Sequence, residues 1–335
     1  MWASESALPV TTTPRELPLL LICDHRGERI QEFATRALMG GYRLRVSHSL
    51  RESLQALAEE PPEMILLDPL SQGGSVELEA LESARGDPLP APLLILCDAD
   101  RPEAALGAAR ALRRGAWDLI HRSAPPEELR VRVDRLSGER ETLQAVEELK
   151  HRASHDDRTD LLRPNAFQER LVEHFSAAQR HGLNLALVLI DLDHFGRINK
   201  DHDHTVGDRL IGSVGDVIRR AVRTEDVAAR LGGDEFAVLL PFTRKIHVVA
   251  VVNRLRDEIG GLSGTPLGAR GPIAVSASIG FETFDGTDLD SLAALRAHAE
   301  RALRVAKEGG GNQSVYFRGI ERRREDEPDE DDLGL

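Results

Sequence analysis

Between residues 19 and 121, short apolar runs alternate with helical patterns, and this alternation sets the narrowest limits on the fold. Leu19–Cys23, Tyr42–Ser47, Met64–Asp68, Pro92–Cys97 and Leu119–His121 read as buried strands. Arg29–Leu38, Leu50–Glu59, Val76–Ala84 and Pro102–Arg114 read as the helices between them. Runs of this kind, bounded by Pro and Gly, predict a doubly wound parallel sheet. Ligand sites in that architecture lie beyond the carboxyl ends of the strands. Asp24, Asp68 and Cys97 stand at three such ends.

The chain has 335 residues, enough for two domains. Its net charge of −13 argues against a general nucleic-acid binder, which needs a basic face. If the substrate is a polyanion, a metal ion or a few placed Arg and Lys must offset the repulsion. Much of the acid is local: EDEPDEDD, Glu325 to Asp332, belongs to a charged segment, 319–335, expected to be disordered. Two cysteines, Cys23 and Cys97, exclude a disulfide framework and a Cys-rich zinc module, and both are expected as core thiols. No apolar run reaches membrane-spanning length, and residues 1–16 lack the marks of a signal peptide. The expectation is a cytoplasmic protein with a flexible leader and no membrane partner.

Pro125 and Pro126 open a charged helical stretch, 125–154, between the two domains. Leu129, Val133, Leu136 and Leu143 follow a coiled-coil spacing, but Arg140 and Glu147 interrupt the seam. A short coiled coil and a single linker helix both remain open.

The second domain is expected over 155–318. Phe167–Gln179, Asp208–Val222, Ile246–Ile259 and Leu289–Ala306 carry helical spacing. Leu185–Ile190, Val227–Arg230, Phe236–Leu240 and Ile273–Phe281 read as strands. Asp191 ends the first of these strands. Asp234 and Glu235 occupy a hairpin tip beside Gly232 and Gly233. Carboxylates at neighbouring strand ends repel unless a cation joins them, and Mg²⁺ with phosphate oxygens suits such a set. The glycines leave room for a phosphate or base to approach the backbone.

Asp191-Leu-Asp-His-Phe-Gly-Arg-Ile-Asn199, then His204 and Gly207-Asp208, then Arg230-Leu-Gly-Gly-Asp-Glu-Phe236, closely resemble the diguanylate cyclase (GGDEF) family. SASIG at 276–280 and AERALRVAK at 299–307 extend the resemblance, and Asp156–Phe167 is a weaker echo. It covers about half the chain. It implies an α+β, palm-like nucleotide cyclase domain that acts as a homodimer. Two GTP would be condensed to cyclic di-GMP, with release of pyrophosphate. On the same basis Asp191, the backbone carbonyl of Leu192 and Asp234 would hold Mg²⁺ or Mn²⁺. Asp234 or Glu235 would help deprotonate the attacking 3′-hydroxyl. Asn199 and Asp208 would read guanine, His204 would lie near the nucleotide, and Lys307 would contact a phosphate. Arg223 and Asp226, with Arg254, match the family's inhibitory product site.

Several positions depart from the family pattern. Gly196 and Gly311 replace a phosphate-contacting Lys and an Arg, and Arg304 replaces a Tyr. Arg158, Asp160 and Arg163 replace a Leu, a Gly and an Asn. Arg197 and Arg304 are the two candidates to restore the missing positive charge. The alternative function is an inactive cyclase domain acting as a cyclic di-GMP receptor or interaction scaffold.

The first domain resembles a response-regulator receiver, with Asp68 at the phosphoacceptor position. Asp24 alone remains of the acidic pair, Cys97 replaces the Thr/Ser, and Arg122 replaces the Lys. The resemblance implies a degenerate receiver that mediates dimerisation or holds a protein partner.

Overall fold

A computed structural model describes residues 17–27, 30–38, 40–68, 75–84, 91–97, 116–121, 123–264 and 271–320. Residues 1–16, the helix expected over Pro102–Arg114, Arg122 and residues 321–335 lie outside the described set. Two compact units divide the chain between Glu148 and Leu149. Among the described residues no helix is long and apolar enough to cross a membrane.

The first unit contains β1 (Leu19–Asp24), α1 (Ile30–Leu38), β2 (Arg43–Ser47), α2 (Leu50–Glu59), β3 (Met64–Asp68), α3 (Ser75–Ala84), β4 (Leu93–Cys97) and β5 (Asp118–His121). The strands form a parallel sheet in the order β2-β1-β3-β4-β5. That is a doubly wound order, as the alternation predicts. Both faces are covered. Leu20, Ile22, Met64, Leu66 and Leu94 enter one core, and Leu21, Cys23, Ile65, Leu67 and Leu93 the other. Burial on both faces is why these strands read as continuous apolar runs. Cys23 is a core thiol as expected, whereas Cys97 is only partly buried.

The helix expected as a linker is α4 (Pro126–Ser154). Its first turns are also a wall of the first core, where Leu129, Val133 and Leu136 are buried. The seam stops at Arg140, whose guanidinium turns to the Glu63 carbonyl at 3.0 Å and the Glu63 carboxylate at 2.8 Å. Beyond it Leu143, Val146 and Leu149 are exposed.

The second unit runs α5 (Pro164–His181), β6 (Leu185–Leu192), α6 (Phe195–His202), α7 (His204–Ala221), β7 (Val227–Gly232), β8 (Glu235–Pro241), α8 (Lys245–Gly260), β9 (Ala277–Phe284), α9 (Leu292–Glu308) and β10 (Ser314–Tyr316). Its sheet has the order β10-β9-β6-β8-β7, with β6 antiparallel to both neighbours. Alternate residues of β6 enter opposite cores. Ala186, Val188 and Ile190 pack with α7 and α8, while Leu185 and Leu187 pack with α5 and α9.

Four elements differ from the sequence expectation. Helix α7 starts four residues early, because the Asp203 side chain accepts from Val206 N–H and caps it. Strand β9 is displaced toward Phe284. Ile273 and Val275 are buried, but they hydrogen-bond to Gly264 and Ser263 after α8 instead of to β6. Helix α6 and strand β10 were not expected at all.

Helix α9 rests directly on β9 at Gly280. A Cβ there would lie 2.0 Å from the Leu303 nitrogen and 2.5 Å from the Ala299 carbonyl oxygen. Gly280→Ala must therefore push α9 off the sheet. Its cost is expected to be about 1–3 kcal/mol or more, read as a lower midpoint in urea unfolding.

Candidate functional site

The acidic hairpin and the end of β6 form one locus. Asp191 pairs across the ladder with Glu235, the first residue of β8. Leu192 N–H donates to the Asp234 carbonyl at 3.2 Å. A bulge between Arg230 and Gly232 turns the chain, and Gly233 adopts φ +51°, a left-handed conformation that favours glycine.

Burial pushes the Asp191 carboxyl above its ordinary range, and the charges of Asp234 and Glu235 push it the same way. Lys307 opposes them, with Nζ 2.5 Å from Asp191 Oδ2. The site thus concentrates negative charge and meets it with one ammonium group from α9. Among the described residues no three His, Cys, Asp or Glu side chains converge as a ready metal cage. Two carboxylates and a backbone carbonyl fit a hard cation only when ligand oxygens complete the shell, which is the usual manner of Mg²⁺.

Residues given no role from sequence hold this locus in place. Arg230 donates to the Gly233 carbonyl through Nε at 3.1 Å and Nη2 at 2.7 Å. Its Nη1 donates to both Asp156 oxygens at 3.2 Å. Asp156 also accepts from Arg158 N–H, Thr159 N–H and the Thr159 hydroxyl. Burial alone would raise the Asp156 carboxyl, but Thr159 and Arg230 outweigh it and hold it below the usual range. Asp193 is a second tie. It accepts from Ser276 and Ser278 Oγ at 2.7 Å and from Asn312 N–H at 2.8 Å, joining the end of β6 to β9 and to the loop after α9. The only sequence signal for these roles was membership of the quoted motifs.

The two expected base-reading residues are neighbours. Asn199 on α6 lies against Gly207 on α7, where a Cβ would stand 1.8 Å from Asn199 Oδ1. That oxygen is buried and has no hydrogen-bond partner, an unusual state for a buried polar atom. Asp208, one residue on, is half-exposed and paired with Arg158 Nη2 at 3.0 Å. His204 is exposed at the start of α7.

Arg223, Asp226 and Arg254 also gather, at the end of α7. Asp226 Oδ2 accepts from Arg223 N–H at 2.8 Å and closes the turn into β7. Burial pushes the Asp226 carboxyl up, while Arg223 and Arg254 pull it down. Arg254 Nη2 donates to the Ala221 carbonyl, and the Arg223 side chain is 71% exposed. Asp226 therefore has a structural task whether or not a ligand binds there.

In the first unit Asp68 is fully buried and in register with Asp24 on β1. Arg26 Nε stands 3.9 Å from Asp68 Oδ1. Beside them, His25 Nε2 hydrogen-bonds Ser53 Oγ at 2.9 Å, and burial holds the imidazole below its ordinary value. Burial also pushes the Cys23 thiol up to about 11.

Comparison with known proteins agrees with this geometry. The family description "Diguanylate cyclase, GGDEF domain" matches residues 153–313. The chain is 34% identical over 166 residues to diguanylate cyclase DgcP of Pseudomonas aeruginosa, covering 49% of this chain and 24% of that protein. It is 32% identical over 161 residues to diguanylate cyclase A of Treponema denticola, covering 47% and 43%. A P. aeruginosa cyclic di-GMP phosphodiesterase, NbdA, matches at 33% over 173 residues, covering 50% and 21%, so the shared region occurs in proteins of different activity. Among solved structures, the coiled coil and GGDEF domain of DgcB from Caulobacter crescentus, in complex with cyclic di-GMP, aligns with TM-score 0.51 and 27% identity. It covers 56% of this chain and 98% of that one. The chain matches the GGDEF diguanylate cyclase family over residues 153–313, within its second unit. It spans less than half the length of these curated relatives.

The Asp156–Arg230 clamp makes a pH-dependent prediction. A carboxyl with a depressed folded pKa stabilises the fold above its unfolded value of about 3.9, and that contribution is lost as pH falls. Asp156→Asn is expected to cost about 1.5–3 kcal/mol at pH 7. The gap to wild type should narrow below about pH 4, as measured by urea unfolding across pH.

Proposed function

We propose that this chain is a diguanylate cyclase that condenses two GTP into cyclic di-GMP and two pyrophosphates, with two copies of the second unit facing each other. The observation that carries this reading is the buried Asp191 carboxylate set against Asp234 and Glu235 at a glycine hairpin. A second support is the Asn199 oxygen on α6, buried against Gly207 without a hydrogen-bond partner.

Asn199 and Asp208 receive guanine. The Asn199 oxygen accepts from a base N–H, and Asp208 exchanges Arg158 for the guanine N1–H and amino group. That exchange is cheap, because an exposed ion pair is worth about 0–1 kcal/mol. Asp191, the Leu192 carbonyl and Asp234 would hold Mg²⁺ or Mn²⁺, which would neutralise phosphate charge and lower the pKa of the attacking hydroxyl. Glu235, exposed at the tip, accepts the 3′-hydroxyl proton. The 3′-oxygen then bonds to the α-phosphorus of the facing GTP. The bond to the bridging oxygen breaks, and pyrophosphate leaves with the electron pair. A second, symmetric transfer closes the ring. Lys307, bonded to Asp191 in this structure, would contact a phosphate.

Purified protein incubated with GTP and Mg²⁺ tests this. Cyclic di-GMP and pyrophosphate should appear in a 1:2 ratio. Glu235→Ala should lower the rate at least 100-fold with an unchanged circular dichroism spectrum. No product, together with calorimetric binding of cyclic di-GMP, would favour the receptor reading, which draws on Gly196 and Gly311 at positions where the family carries phosphate cations.

Product would return to Arg223, Asp226 and Arg254, where the exposed Arg223 guanidinium offers a forked contact. Arg223→Ala is expected to weaken cyclic di-GMP binding about ten- to a hundred-fold and relieve product inhibition, with initial rates spared. Progress curves with and without added product check this.

The first unit serves as a dimerisation or partner-binding module. Arg26 already stands near Asp68, and Asp24 alone represents the acidic pair, so phosphotransfer is disfavoured. Asp68→Asn should leave cyclase activity unchanged with or without beryllofluoride. Activation of the wild type that is lost in the variant would contradict this.

A further inference from the structure

We propose that Arg304 is a substrate-binding residue that grips the polyphosphate of the nucleotide. This rests on the GTP reading above and goes beyond it. A cleft of about 660 Å³ opens beside the catalytic hairpin. Its floor includes Phe167, Leu187 and Leu231, and its rim brings together Glu235, Lys307 and Arg304. Polyphosphate arriving at Asp191, Asp234 and Glu235 adds negative charge to a cluster that already repels itself. Lys307 is the single ammonium group bonded into that cluster, and Asp191 holds it.

Arg304 is placed to supply the second positive charge. It lies three residues before Lys307 on α9, so the two share a helix face about 4.5 Å apart along the axis. It is exposed and, among the described residues, has neither a hydrogen bond nor an ion pair. A planar guanidinium with free donors suits forked contact with phosphate oxygens.

Other sources of charge are less well placed. Arg197 is 81% exposed and paired with Asp201 on its own helix at 3.3 Å. An arginine at 311 would meet Asp193, since a Cβ on Gly311, at φ +75°, would stand 2.8 Å from Asp193 Oδ1. Asp193 in turn ties β6 to β9, so a side chain at 311 would have to shift that carboxylate. Arg296 lines the same cleft, but about 16 Å from Lys307 along the axis.

Calorimetry with GTP and with GMP, using Ca²⁺ in place of Mg²⁺ to slow turnover, tests the assignment in the full chain. Arg304→Ala is expected to weaken GTP binding about ten- to a hundred-fold and GMP binding less than about three-fold. Arg304→Lys should recover most of the GTP affinity, and Arg296→Ala should leave it unchanged. Gly196 has open space around its Cβ position, so Gly196→Lys should partly rescue Arg304→Ala. Equal losses for GTP and GMP would overturn the proposal, as would an Arg304→Ala protein that binds GTP like wild type. An equal loss in Arg296→Ala would also overturn it, by showing general electrostatics and not contact. Wild type that binds no GTP would overturn the substrate reading and this assignment together.

Discussion

Asp191, at one end of a sheet, lies near enough to Asp234 and Glu235 for their charges to push its carboxyl up. Several ties of the second unit hold these residues in place. Asp191 cannot withdraw, because it sits in the β6 ladder between β8 and β9. Asp234 and Glu235 cannot withdraw, because Arg230 fixes the carbonyl of Gly233 from below and Asp156 fixes Arg230. Asp193 performs the same service on the other side through Ser276, Ser278 and Asn312. The fold stores an electrostatic demand that a cation and a phosphate-bearing ligand would satisfy.

Much of this was legible in the sequence. The strands of the first unit are apolar without interruption because both faces are covered, and their number follows from the alternation. The hairpin and its carboxylates were readable because the glycines and acids are contiguous. The clamps were not, because their partners are far apart in the chain. Arg230 and Asp156 are separated by 74 residues, and Asp193 and Asn312 by 119. Short elements also escaped. Helix α6 buries only Ile198, and β10 is three half-buried residues paired along one edge of β9. At β9 the buried Ile273 and Val275 looked like strand, but burial there comes from a turn that Ser263 closes.

The departures from the family pattern take on physical meaning in this frame. Gly311 packs against Asp193, which ties the end of β6 to β9. Arg158 pairs with Asp208 at 3.0 Å. In the first unit Arg26 Nε stands 3.9 Å from the buried Asp68 carboxylate. Charge in this chain is moved from one residue to another around the same places.

The central claim is that Asp191 and Asp234 form a cation site completed by the nucleotide. Electron paramagnetic resonance of Mn²⁺, with a non-reactive GTP analogue present, tests it most directly. The account predicts that wild type immobilises the ion only when the analogue is added, and that Asp191→Asn and Asp234→Asn do not, while both variants remain folded. Immobilised Mn²⁺ of equal affinity in wild type and both variants would contradict it.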